Sequence, residues 1–142
     1  MGKVTFNYAD GSFAFNEKTK LKAFIESIFK AEGKQLQGLN YVFCSDKFLL
    51  TINQDFLQHD DYTDIITFDF SEKKGIPPIE GEIYISTQRV KENARVFNTT
   101  IRQEMLRVIF HGALHLCGYK DKTAKAISLM RTKEDEYLKK FK

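Results

Sequence analysis

The chain has 142 residues, 42% of them hydrophobic and 29% charged, with 22 Lys and Arg against 19 Asp and Glu for a net charge of +3. That length predicts one domain over residues 1–142 with a core that needs no disulfide or metal staple, and the mild positive balance permits a polyanionic partner without demanding one. The apolar runs are broken by charges, which excludes a membrane span, and Cys44 and Cys117 stand in no Cys-x-x-Cys arrangement, which excludes a disulfide framework.

The opening residues run straight into a strand-like alternation, so a reducing cytoplasm with no secretory leader is the expected setting. Val4, Phe6 and Tyr8 alternate with polar neighbours as a first strand. Asn16 is placed to cap a helix that carries Leu21, Phe24, Ile25, Ile28 and Phe29 on one face and stops at Gly33. Residues 41–44 and 48–52 flank Ser45-Asp46-Lys47 and predict a hairpin. Ile66, Phe68 and Phe70 share one face of a fourth strand, and residues 82–85 give a fifth after a loop holding Pro77 and Pro78. Ser86 leads into a short helix to about Ala94. Thr100 with Gln103 makes a capping box for the next helix, which is apolar nearly all round from Met105 to Cys117 and therefore central and buried. Residues 122–141 read as a last helix. The sum is an α+β domain with a mixed sheet of four or five strands and packed helices.

The chemistry lies in the run from His111 to Asp121. His111 and His115 are four residues apart, so their imidazoles share one helix face and can share one tetrahedral ion. Gly118 tolerates the left-handed conformation that ends a helix, which lets the chain reverse and bring Asp121 toward the same ion. Three protein ligands leave a position open for water, the catalytic pattern. Two histidines on an apolar helix can equally be core residues, and Asp121 can equally be the N-cap of the last helix. Cys117 lies about 200° around the helix from His115 at roughly 100° per residue, and so faces the core. In the common zinc peptidase motif a glutamate base follows the first histidine; here that position is Gly112. Glu104, about 10 Å along the axis from His111, is too distant to hold the ion and reads as a surface or supporting residue.

The run from His111 to Asp121, with Thr63-Asp64-Ile65-Ile66-Thr67-Phe68, Gly81-Glu82-Ile83-Tyr84-Ile85-Ser86 and residues 57–61, resembles the YbeY family of bacterial rRNA maturation factors. The family signature is His-Gly-x-Leu-His-Leu-x-Gly-Tyr-Asp-His, whose three histidines bind zinc, and His111 and His115 match the first two. The resemblance implies a zincin-like α+β fold and a zinc-dependent, single-strand-specific endoribonuclease, acting in maturation of the small-subunit rRNA 3′ end and in ribosome quality control. Two departures stand out. Lys120-Asp121 replaces Asp-His, which makes the third ligand of the single Zn2+ an aspartate oxygen and shifts preference toward harder ions. Leu57 occupies the slot of a family loop arginine, and His59 is the nearest group able to donate to phosphate or move a proton, or else a solvated loop histidine. The alternatives to RNA cleavage are a zinc-dependent peptide or amide hydrolase, which would lack its glutamate base, and a non-catalytic ribosome-associated module with a structural metal.

Overall fold

The computed structural model describes residues 2–57 and 63–141. The elements run β1 (Val4–Tyr8), α1 (Lys18–Ala31), β2 (Leu36–Cys44), α2 (Asp46–Leu57), β3 (Ile65–Asp69), β4 (Ile79–Ser86), α3 (Thr87–Val96), α4 (Ile101–Leu116) and α5 (Ala124–Lys140). The sheet has four strands in the order β1-β2-β4-β3, with β1, β2 and β4 parallel and β3 antiparallel at the edge.

The strand alternation divides the sheet into two unequal faces. Tyr41 and Phe43 of β2 with Ile79, Ile83 and Ile85 of β4 join residues of α1 and α4 in the large core, all fully buried. Cys44 and Ile66 project to the other face and form a small cluster with Leu49 of α2. α4 lies against the large face, and the buried Tyr41 hydroxyl donates to the Ile109 carbonyl at 2.8 Å, tying the middle of the sheet to the middle of the helix. Ten of the sixteen residues of α4 are buried, which places it centrally as its all-round apolarity predicts. No helix among the described residues is long and apolar enough to cross a membrane.

Two expectations are corrected. Residues 48–52 are helix, not the second arm of a hairpin: the Ser45 hydroxyl accepts from the Phe48 N–H, so Ser45-Asp46-Lys47 starts a helix instead of turning a strand. With that strand gone, the sheet has four strands. Asn16 does not cap α1; Glu17 takes that place with φ 57° and makes no capping hydrogen bond through its side chain. The Thr100 cap of α4 is as expected, its hydroxyl accepting from the Gln103 N–H.

Candidate metal centre

α4 delivers His111 and His115, both half-buried, to the face it turns toward α5. The helix ends as its glycine requires: Gly118 has φ 112°, its N–H donates to the His115 carbonyl, and the Tyr119 N–H reaches back to the Leu114 carbonyl. That reversal, followed by the loop to α5, places Asp121 Oδ2 at 3.3 Å from His111 Nε2. The loop is held at Tyr119, whose hydroxyl donates to Glu32 at 2.7 Å, and Glu32 also accepts from Tyr137 and Lys133 of α5. Asp121 is not the cap of α5. Thr123 is, its hydroxyl accepting from the Ala126 N–H, and the carboxylate of Asp121 lies against His111 instead.

A buried carboxylate stands behind His111. Glu134 Oε2 lies 2.7 Å from His111 Nδ1, and Glu134 Oε1 accepts from Arg107 at 2.9 Å. Arg107 also pairs with Asp135 at 2.7 Å. Burial alone would lower the pKa of His111, but the hydrogen bond and charge of Glu134, helped by Asp121 and Asp64, outweigh it and raise the pKa. His115 goes the other way: burial, then the neighbouring His111 and Lys120 charges, lower its pKa against the pull of Asp121, a shift toward the neutral form that a metal ligand would need. Sequence reasoning missed Glu134. Its signal was an acid inside the apolar stripe of a helix, for Met130, Glu134 and Tyr137 are the buried residues of α5 at i, i+4 and i+7.

A cleft of about 280 Å³ extends from Asp121 and His111 along α4. Glu134, Arg131, Asp64, Asn93, Glu104 and Phe97 are among the residues that line it. Glu104 is buried, not at the surface. Burial and then the Asp64 charge raise its pKa, and Asp64 is raised in turn by its own burial.

The donor chemistry fits a zinc-type ion. Nitrogen and oxygen donors about 2.0–2.2 Å from one tetrahedral ion stand roughly 3.4 Å from each other, and the His111–Asp121 pair is at 3.3 Å. His115 Nδ1 is buried with no hydrogen-bond partner, a polar atom that the protein itself leaves unsatisfied. Glu134 behind His111 is the outer carboxylate that fixes the orientation of a ligating imidazole. Among the described residues no three His, Cys, Asp or Glu side chains stand as a complete metal-holding group; the described set is one pair at ligand spacing with His115 a turn away. His59 lies outside the described residues.

Gly112 explains why no glutamate follows the first histidine. A Cβ there would come within 2.7 Å of Ile83 Cδ1 and 3.1 Å of Ile65 Cδ1, so position 112 presses on the sheet and cannot present a base to the cleft.

The family model described as Endoribonuclease YbeY matches residues 6–142. An Endoribonuclease YbeY of Cytophaga hutchinsonii is 48% identical over 95% of this chain and 93% of its own length. Another, from Flavobacterium psychrophilum, is 46% identical over 97% of this chain and 96% of its own. The solution structure of TM1509 from Thermotoga maritima superposes with a TM-score of 0.64 at 33% identity, covering 94% of this chain and 86% of that one.

Proposed function

The chain belongs to the endoribonuclease YbeY family, and from that membership and the geometry around His111 we propose that it is a zinc-dependent endoribonuclease that cuts single-stranded RNA. Its setting in this reading is the cytoplasm, its partner the small ribosomal subunit, and its task maturation of the small-subunit rRNA 3′ end and ribosome quality control. The observation that carries the reading is the 3.3 Å spacing of His111 Nε2 and Asp121 Oδ2 in a chain that matches the family from residue 6 to 142.

His111, His115 and Asp121 hold one zinc ion per chain. When bound, such an ion supplies Lewis acidity toward a phosphoryl oxygen and acidifies water. The protein's own groups do the rest. Glu134 accepts from His111 Nδ1 and so leaves Nε2 free to face the cleft. Arg131, 60% exposed on the cleft wall and 4.0 Å from Glu134, is placed to meet a backbone phosphate. Arg131 would supply a cation in a chain that has Leu57 in the slot of the family's arginine, and His59 would add a donor or proton carrier.

The test is cleavage of an end-labelled single-stranded RNA, run beside casein, with wild type and a His111→Ala, His115→Ala double variant. The expected result is RNA cleavage that a chelator and the double variant both abolish, with casein intact. Cleavage of casein that tracks with zinc while RNA stays whole would overturn the reading.

A further inference from the structure

The cleft holds a contrast between two carboxylates. Glu104 and Glu134 are equally buried, at 6% and 4% exposure, and both line the cleft. Glu134 is satisfied by His111 and Arg107. Glu104 has no hydrogen bond or ion pair to any described residue, and only the more distant charges of Arg107 and Arg131 favour its ionised form. A buried carboxylate normally finds donors, because leaving it unpaired costs its full desolvation. Burial and the Asp64 charge raise its pKa, while its place in the first turn of α4 and the charges of Arg107 and Arg131 work the other way, toward the ionised acceptor. Phe97, the C-cap of α3, lines the same cleft and is 63% exposed. Seven residues of helix, about 10 Å, separate Glu104 from His111, a length that one nucleotide spans from base edge to phosphate.

We propose that Glu104 and Phe97 form a base-binding subsite for an unpaired guanine, which stacks on Phe97 and donates from its Watson–Crick edge to the Glu104 carboxylate. The assignment to guanine follows from the edge chemistry. Guanine presents two adjacent donors, the ring N1–H and the 2-amino group, which match the two oxygens of a carboxylate. Uracil sets its one donor between two carbonyl oxygens that repel the carboxylate, and cytosine and adenine set an amino donor beside a ring acceptor. Unstacked bases read by aromatic stacking and edge hydrogen bonds are the usual mode of single-strand recognition. The proposal deepens the single-stranded RNA reading and rests on it.

The test is titration of the full chain with guanosine, inosine and uridine 5′-monophosphates, followed by calorimetry or protein NMR. The three share the phosphate, so differences report the base alone. Guanosine monophosphate should bind about tenfold more tightly than inosine monophosphate, which lacks the 2-amino group, and uridine monophosphate more weakly still. Glu104→Gln should erase the preference between the first two while keeping the fold. Phe97→Leu should weaken all three alike, by about fivefold or more. Equal binding of the three nucleotides, absence of binding, or an unchanged preference in the Glu104→Gln protein would overturn the subsite. Zinc-dependent cleavage of RNA with no preference at guanine would do so as well while leaving the RNA reading intact, whereas guanine binding without cleavage would keep the subsite and fail the activity.

Discussion

Replacing Glu134 by glutamine keeps the side-chain volume and removes only charge and one acceptor. The carboxylate serves two donors, His111 Nδ1 at 2.7 Å and an Arg107 N–H at 2.9 Å. Hydrogen bonds to a charged group are worth about 1.5–3 kcal/mol and neutral ones about 0.5–1.5 kcal/mol, so each contact loses about 1 kcal/mol. An amide also has a single acceptor oxygen, and its NH2 must face one of the two donors in a nearly dry place, which adds about 1–2 kcal/mol. Arg107 keeps Asp135 and is itself 20% exposed, which limits the damage. The total is about 2–4 kcal/mol, which in a domain of this size lowers Tm by roughly 6–12 °C. Zinc affinity should fall about 10- to 100-fold, the usual consequence of losing the carboxylate behind a ligating histidine. Thermal unfolding of the metal-free protein followed by circular dichroism reads the first effect, and competition with a chromogenic chelator the second. A variant with wild-type Tm and wild-type zinc affinity would refute the role assigned to Glu134.

Gly112→Ala should destabilise by up to about 2 kcal/mol, since overpacking costs about 1–3 kcal/mol and alanine returns about 1 kcal/mol of helix propensity; a higher melting temperature would show that Ile83, 2.7 Å from the new methyl, yields freely. Asp121→His should bind zinc at least as tightly as wild type, because imidazole is the better donor for that ion; a large loss of affinity by chelator competition would remove Asp121 from the ligand set. For Glu32, burial alone would raise the pKa, but hydrogen bonds from Tyr137, Tyr119 and Lys133 lower it below the ordinary 4.5. A carboxyl depressed on folding stabilises the native state above its unfolded pKa and loses that contribution as pH falls through the folded one. Wild type should therefore lose more Tm than Glu32→Gln between roughly pH 5 and 3, and parallel Tm profiles of the two proteins would contradict the clamp.

The parts of this molecule written in local pattern were legible from sequence. Thr100 with Gln103 marked the start of α4, Gly118 its end, and the spacing of His111 and His115 their common face. The mistaken hairpin arose because residues 48–52 are short and apolar, and such a run does not distinguish strand from helix; the Ser45 hydroxyl on the Phe48 N–H decides it. Glu134 and Arg107 meet His111 only because α5 packs back on α4, a juxtaposition that local pattern does not encode. Glu104, an apparent surface or supporting residue in the sequence, is buried and lines the cleft, which tertiary packing and not local pattern decides. For Asp121, open between cap and ligand in the sequence, the cap reading falls to a neighbour two residues on, Thr123, which takes that place.

The central claim is that the site around His111, His115 and Asp121 is a metal-dependent centre for cutting RNA. Its most direct test is the initial rate of cleavage of an end-labelled single-stranded RNA by chelator-stripped protein as zinc is added back in known ratio. The rate should be near zero without metal, climb in proportion to zinc and level off at one ion per chain. A rate that is already full in the stripped protein, or that stays at zero through the whole titration, would contradict it.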